Sequence, residues 1–142
     1  DCIASRAGKL EFGLYGSSEM LKRRMPSKYG APWQALDHVT WSEPWAELPT
    51  AKWLRAIFHG KQPAITCNSF QVQYAAMRTG LGVGLLPRFL GDADAVLQRI
   101  DHGRPELSLD LWLVYHRDLK ASQRVIAMRD FVADLARAHF GA

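Results

Sequence analysis

The sequence predicts an α/β fold, and three successive patterns in its middle carry that prediction. Residues 64–67 are a short apolar run, residues 70–81 repeat apolar side chains at helical spacing, and residues 83–86 are apolar again. The helical stripe consists of Phe70, Tyr74, Met77 and Leu81. We therefore expect a βαβ segment with two parallel strands, a right-handed crossover and helices on both faces of the sheet.

Residue types at both ends of the predicted central helix support this prediction. Asn68 and Ser69 follow the first strand, and their side-chain oxygens can cap the first turn of a helix. Gly80 follows the helix, where a left-handed backbone conformation commonly ends one. A helix that starts after a parallel strand presents free N–H groups and its positive dipole end, which are common features of ligand sites. Ser69 can therefore be only a cap or can also contact a ligand, and the sequence leaves both roles open.

The residues before this segment predict strands and helices in alternation. Residues 10–15 alternate apolar and polar side chains, which is typical of a strand. Ser17 or Ser18 can cap a helix that has to end before Pro26, and Pro49 suits the first turn of another helix. The predicted order is a strand at 10–15, a helix at 18–25, a loop at 27–37, a strand at 38–41 and a helix at 49–58 that ends at Gly60.

The residues after this segment predict two more strands and a closing helix. Turns are expected at 89–94 and 102–106, with a strand at 96–100 between them. Residues 109–115 are predicted to form a longer strand that is apolar enough on both faces to be central in its sheet. The last helix begins at Ser122 and has an apolar stripe that we expect to be buried. That stripe consists of Val125, Met128, Val132 and Leu135.

Composition is that of a soluble globular protein. Of the 142 residues, 48% are hydrophobic and 23% charged, with a net charge of +4 and two cysteines. Two cysteines are too few for a disulfide framework, which fits a reducing cytoplasm. No apolar run approaches the roughly 18 residues of a membrane span, and the first residues do not have the pattern of a signal peptide, so no membrane contact is expected. We interpret the basic cluster Lys22–Arg24 as a solvated face and expect no direct DNA binding by this chain.

No pattern in the sequence assembles a catalytic or metal site. The run GLGVG at 80–84 ends a helix and begins a strand, which reverses the order in a dinucleotide-binding loop. The nucleophile-elbow and zinc-protease patterns are absent, and no two histidines are three or four residues apart. We therefore predict that the protein is not an enzyme and that it needs neither a cofactor nor a metal.

A longer pattern in the same region resembles a known family. Residues 68–92 read N-S-x-x-x-Q-x-A-A-x-R-x-G-L-G-V-G-L-L-P-R-F-L-G-D, where x is any residue. This pattern resembles the effector-binding domain of LysR-type transcriptional regulators. Residues 10–20 and 111–131 resemble two further segments of that domain, so the resemblance covers nearly the whole chain.

The resemblance implies a periplasmic-binding-protein-like (type II) α/β fold with two lobes and two crossing strands. It implies that residues 17–110 form a complete second lobe, that residues 10–16 and 111–116 cross between the lobes, and that residues 117–142 contain the closing helix of a partial first lobe. The opening part of the first lobe and the DNA-binding winged helix-turn-helix have no counterpart in this sequence. Because the chain begins at Asp1 without a methionine, we interpret it as a truncated or proteolysed effector-binding domain.

The resemblance also implies a function. It indicates a cytoplasmic regulator that binds a small molecule between its lobes, self-associates as a dimer or tetramer, and contacts DNA only through the missing domain. Asn and Ser at a helix start suit an anionic or hydroxyl-bearing effector. The residues that the resemblance assigns to the effector site are Gly16, Ser17, Asn68, Ser69, Phe70 and Leu86. A solute-binding protein for transport is the main alternative, and a lyase or transferase on this fold is a third that no catalytic group supports.

Overall fold

The computed structural model describes residues 1–25 and 33–140. Its elements in these ranges are β1 (Cys2–Ser17), α1 (Ser18–Arg24), β2 (Val39–Trp41), α2 (Pro49–Ile57), β3 (Ile65–Cys67), α3 (Phe70–Arg78), β4 (Gly84–Pro87), α4 (Arg88–Gly91), β5 (Leu97–Arg99), β6 (Ser108–His116) and α5 (Gln123–Phe140). Short 3₁₀ turns lie at Trp33–Ala35, Trp45–Glu47 and Arg117–Leu119. This mixture confirms the predicted α/β class. Residues 27–32 of the predicted loop, and Pro26 before it, lie outside the described ranges.

The chain divides into two compact units. The large unit comprises Phe12–Leu107, and the small unit combines Asp1–Glu11 with Ser108–Ala142. The long strand β1 contributes to both units, because its first part pairs with β6 and its last part pairs with β4 and β5.

The large unit contains a parallel pair of strands and an antiparallel set, and an isolated bridge links the two. β2 and β3 pair in parallel, and a parallel bridge pairs His38, just before β2, with Val83, just before β4. β4 and β5 each pair antiparallel with β1. The two strands of the predicted βαβ segment are therefore parallel but not adjacent, since β2 lies between them, and the sheet is not wholly parallel as the sequence pattern had indicated.

Three helices of the large unit, α1, α2 and α3, begin and end where residue types predict, whereas the short helix α4 occupies part of the predicted turn at 89–94. The Oγ of Ser17 accepts a backbone N–H of α1 at 3.2 Å and caps that helix. α2 begins with Pro49, and Gly60 follows it with φ +72°. α3 is capped by Ser69, and Gly80 follows its end with φ +81°. Glycine adopts this left-handed conformation without the steric cost that a Cβ imposes.

The core of the large unit packs α3 against β1, β4 and β5. Its buried centre consists of Tyr15, Met77, Leu86 and Leu97, with Phe70 and Tyr74 packed against it. Burial of Tyr15, together with the hydrogen bond that its Oη donates to Asp92 at 2.6 Å, raises the pKa of this phenol above its ordinary value. The predicted stripe of α3 is thus the core face, except that Leu81 lies beyond the helix end and is 55% exposed.

The small unit departs from its prediction at β6. β1 extends back to Cys2 and pairs with β6 in antiparallel register, with a bulge between Arg6 and Gly8. Residues 109–115 were predicted to form a central strand, but among the described residues β6 pairs with β1 alone and contains no buried residue. Alternation along a strand shows which side chains share a face, but it does not show whether other segments cover that face.

The closing helix α5 departs from its prediction in the same way. Met128 is 62% exposed and Leu135 is 47% exposed, whereas Ala136 is buried. Val125 and Val132 are half-buried. The expectation of a fully buried stripe is therefore wrong, because an amphipathic helix buries its apolar face only where a second layer packs on it.

Candidate functional site

The candidate site is the turn that joins β3 to α3. Ser69 has an extended backbone, with φ −127° and ψ 128°, and is the N-cap of α3. Its Oγ accepts from the N–H of Val72 at 3.4 Å, and its carbonyl oxygen accepts from the N–H of Gln73 at 3.2 Å. The capping role predicted for Ser69 is therefore confirmed.

Two backbone N–H groups at this helix start remain open. The first N–H groups of an α-helix have no carbonyl partner within the helix, and no described residue accepts from those of Phe70 and Gln71. The first turn contains no acidic side chain. Asn68 is exposed and Ser69 is half-buried. The start of α3 can therefore receive an anionic or hydroxyl group from solvent.

Phe70 belongs to this turn through its backbone and to the core through its ring. The ring lies parallel to that of Tyr74, with the centroids 6.3 Å apart, and packs against the buried centre of the large unit. The N–H of Phe70, rather than its ring, is consequently the group that a ligand at the turn can reach.

Gly16 and Ser17 lie at the other end of α3. A Cβ built on Gly80, which follows the end of α3, would lie 3.8 Å from the Oγ of Ser17, whereas Ser69 caps the helix start. The nine residues of α3, at about 1.5 Å each, separate its two ends by roughly 14 Å. Ser17 is also only 5% exposed. The structure therefore does not bring Gly16 and Ser17 to the turn at Ser69.

The direction of β1 explains this separation. β1 runs antiparallel to β4, so that Tyr15 lies opposite Gly84 at the start of β4 and Phe12 lies opposite Pro87 at its end. The last residues of β1 consequently lie at the edge where β4 begins. Asn68, in contrast, follows the end of β3, which runs in the same direction as β4.

Leu86 lies near the carboxyl end of β4 but inside the core. It is 0% exposed and packs with Tyr15 and Met77. A ligand could reach this side chain only by displacing core residues, so the structure separates Leu86 from the exposed turn as well.

The structure adds two neighbours that the sequence did not assign to the site. Trp41 lies opposite Cys67 in the parallel pairing of β2 and β3, and the N–H of Ser42 donates to the carbonyl oxygen of Cys67 at 3.0 Å. Both residues are half-buried and lie beside the residue that precedes Asn68. The signal was available, because the carboxyl ends of the predicted strands at 38–41 and 64–67 have to meet at one edge of a parallel sheet.

Two side chains of α3, Tyr74 and Arg78, bind the carboxylate of Asp94 in the loop before β5. The Oη of Tyr74 donates to the carboxylate of Asp94, and the Nε of Arg78 lies 2.9 Å from Oδ2 of that carboxylate. The bond from Tyr74, followed by the N–H of Val96 and the charge of Arg78, holds the pKa of Asp94 below its ordinary value despite burial. This cluster attaches α3 to the loop before β5.

Neither a metal-binding cluster nor a membrane-spanning helix is found among the described residues. Within 1–25 and 33–140, no group of three or more His, Cys, Asp or Glu side chains could hold a metal ion. In those same ranges, no helix combines the length and the apolar character that a membrane span requires.

Comparison with known proteins identifies the family. Residues 30–137 match the LysR substrate binding domain, although no curated protein matches the chain. The regulatory domain of CrgA, a LysR-type transcriptional regulator from Neisseria meningitidis, has a similar structure with a TM-score of 0.74 and 18% identity, over 95% of this chain and 69% of that one.

Two longer structures are also similar. Full-length LysG from Corynebacterium glutamicum with bound effector Arg gives a TM-score of 0.71 at 17% identity, over 99% of this chain and 48% of that one. ArgP from Mycobacterium tuberculosis gives 0.70 at 19% identity, over 98% of this chain and 48% of that one. The chain thus spans about half the length of these two proteins.

The family and the fold confirm the expectation drawn from residues 68–92. The fold is the periplasmic-binding-protein-like type II fold of LysR regulatory domains, which is a fold of ligand-sensing domains. Because the match at 30–137 covers most of its length, the chain belongs to the LysR substrate binding domain family.

Proposed function

We propose that the chain is the small-molecule-sensing domain of a LysR-type transcriptional regulator and that the start of α3 contacts the effector. The family match over residues 30–137 carries this proposal and favours regulation over solute transport or catalysis. The open N–H groups of Phe70 and Gln71 support the position of the contact, since they provide hydrogen-bond donors at the positive end of a helix.

The proposed site consists of the Asn68 and Ser69 side chains and the N–H groups of Phe70 and Gln71, with Trp41 beside them. Its donors and its dipole suit an effector with a carboxylate, another anionic group or a hydroxyl. Gly16, Ser17 and Leu86, which the resemblance also assigned to the site, are left out of it because they are buried elsewhere in the large unit.

We infer that the large unit is the second lobe and that the small unit is the part of the first lobe present in this chain. The compact units support lobe boundaries at 11/12 and 107/108, a few residues from those that the resemblance implied. An effector that binds one arrangement of the lobes more tightly shifts the population toward it. In this proposal the regulator is cytoplasmic, self-associates as a dimer or tetramer, and binds DNA through a winged helix-turn-helix outside this chain.

Ser69→Asp tests the site. Aspartate caps helices as well as serine does, but its charge would repel an anionic effector. We expect the free energy of unfolding to change by less than about 1 kcal/mol and effector affinity to fall roughly tenfold or more. Effectors would first be identified by a thermal-shift screen of amino acids and small carboxylates, and affinities would then be measured by calorimetry.

Ser122→Asp is the matched control, because it places the same charge before α5 in the small unit, where the Ser122 carbonyl accepts from the N–H of Ile126 at 2.9 Å. This variant should bind the effector as the wild type does. An unchanged affinity in Ser69→Asp would remove Ser69 from the site.

A further inference from the structure

A cavity of about 210 Å³ lies against β2 in the large unit. His38, just before β2, and Thr40, within β2, form part of its wall, while Arg55 of α2 and Lys61 lie at its rim. None of residues 68–70 lines it, and Trp41 is the residue that this cavity shares with the surroundings of the start of α3.

The wall of the cavity contains buried polar atoms without partners. His38 is 2% exposed, and neither its Nδ1 nor the Oγ1 of Thr40 hydrogen-bonds to any described residue. His38 and Thr40 are two residues apart along an extended chain, so their side chains lie on the same face. The ring of His38 stacks on Phe58 at 4.1 Å, which holds its orientation. Buried polar groups nearly always have a partner, so these two atoms indicate a place where one binds.

The rim holds two cations in fixed positions with donors to spare. The Nζ of Lys61 donates to the carbonyl oxygens of Ala35 at 3.0 Å and Leu36 at 2.9 Å. The Nη2 of Arg55 donates to the carbonyl oxygen of Ala46 at 2.5 Å. Each side chain carries N–H groups beyond those used in these bonds, and a carboxylate is the natural acceptor for them.

The acidic neighbours of these cations do not neutralise the rim. Oε1 of Glu47 lies 3.8 Å from Nη1 of Arg55, and Oδ1 of Asp37 lies 4.0 Å from Nζ of Lys61, and both carboxylates are more than half exposed. Such long, solvated pairs are weak. Burial, and then the positive charge of Lys61, lower the pKa of the His38 imidazole below its ordinary value.

The remaining lining is apolar and limits the size of a ligand. Trp41, Pro63, Ala46 and Ala51 supply it, and a flat ring packs well on Trp and Pro surfaces. Pockets for drug-sized molecules measure roughly 300–1,000 Å³, so a cavity of about 210 Å³ suits a single ring with small substituents.

We propose that this cavity binds a hydroxylated aromatic monocarboxylate. The carboxylate binds Arg55 and Lys61, the ring packs on Trp41 and Pro63, and the hydroxyl pairs with His38 Nδ1 and Thr40 Oγ1. This proposal does not depend on the role of the start of α3.

The test is an NMR titration of the ¹⁵N-labelled chain with 3-hydroxybenzoate. We expect saturable shifts at residues that line the cavity, with saturation below about 5 mM for a ligand of this size. Benzoate lacks the hydroxyl and 3-hydroxybenzyl alcohol lacks the charge, so each should bind roughly five- to tenfold more weakly.

Two variants assign the contacts. Arg55→Gln should lower the affinity for 3-hydroxybenzoate about tenfold, so that this compound binds no more tightly than 3-hydroxybenzyl alcohol. In Thr40→Val, 3-hydroxybenzoate should bind no more tightly than benzoate. Arg104→Gln and Thr66→Val are the matched controls, since both residues are exposed and lie outside the cavity, and they should leave all three affinities within about twofold.

Several results would overturn the proposal. These are the absence of saturable shifts at the cavity, equal affinity for the three compounds, binding that Arg55→Gln does not weaken, and shifts confined to residues 68–70. A crystal grown with 3-hydroxybenzoate in which water alone fills the cavity would overturn it as well.

Discussion

The large and the small unit contain similar amphipathic patterns, but only the large unit buries them. On α3, Met77 is 0% exposed, whereas on α5, Met128 is 62% exposed. β4 is buried throughout, whereas β6 contains no buried residue. The two units differ because segments distant in the sequence pack on the apolar face of α3. Met77, for example, packs with Tyr15, which precedes α3, and with Leu97, which follows it. A pattern therefore identifies the side chains that need cover but not the segments that supply it.

The largest expected difference between the units concerns apolar side chains. Leu86→Ala should lower the free energy of unfolding by about 2–5 kcal/mol, because it leaves a cavity in a packed core. Leu135→Ala removes the same atoms from a side chain that is 47% exposed, and its effect should stay within about 1 kcal/mol. Urea denaturation followed by circular dichroism measures both.

Equal losses in these two variants would contradict the comparison, because they would show that Leu135 is covered in solution. The slope of the denaturation curve is the control, since an unchanged slope shows that both variants unfold from the same native structure.

A smaller difference between the two units is expected when a carboxylate is replaced by an amide. The side chain of Asp94 is 8% exposed and accepts bonds from Tyr74 and Arg78, so Asp94→Asn should cost about 1–3 kcal/mol at pH 7. Because the pKa of Asp94 is lower in the folded state, its contribution is present at neutral pH. This contribution is lost as the pH falls below about 4, the ordinary pKa of an aspartate. Denaturation at a series of pH values should therefore show the gap between wild type and variant closing in acid.

Asp134→Asn supplies the matched control in the small unit. Asp134 is 68% exposed and pairs with Arg137 on the surface of α5, so its replacement should change the free energy of unfolding by less than about 0.5 kcal/mol at any pH. If the difference in the free energy of unfolding between wild type and Asp94→Asn widened in acid, the predicted lowering of the Asp94 pKa in the folded state would be wrong.

The smallest effect is expected at the ion pair between β1 and β6. Nη2 of Arg6 lies 2.8 Å from Oδ1 of Asp110, with the two side chains 46% and 48% exposed. Arg6→Ala should cost less than about 1 kcal/mol, and the difference should vanish in about 1 M salt. A larger, salt-insensitive loss would show that this part of the small unit is shielded from solvent.

Local patterns predicted the helix ends and part of the candidate site. Ser69 and Gly80 bound α3 as expected, because caps and left-handed glycines act within one turn of the chain. Asn68 and Ser69 could be assigned to the candidate turn because they lie next to each other between the predicted strand and the predicted helix. Gly16 and Ser17 were grouped with them by resemblance, and the antiparallel direction of β1 separates them by about the length of α3.

The sequence by itself determined the α/β class, the positions of α1, α2 and α3 and the family, because periodicity, caps and a contiguous motif are all read within a few dozen residues. Only the tertiary structure decided that β2 lies between β3 and β4, that β1 begins at Cys2, and that the apolar faces of β6 and α5 remain exposed in the described residues. It also decided which polar atoms meet at the cavity beside β2. Strand pairing and burial depend on residues far apart in the chain, and no local pattern specifies which of them meet.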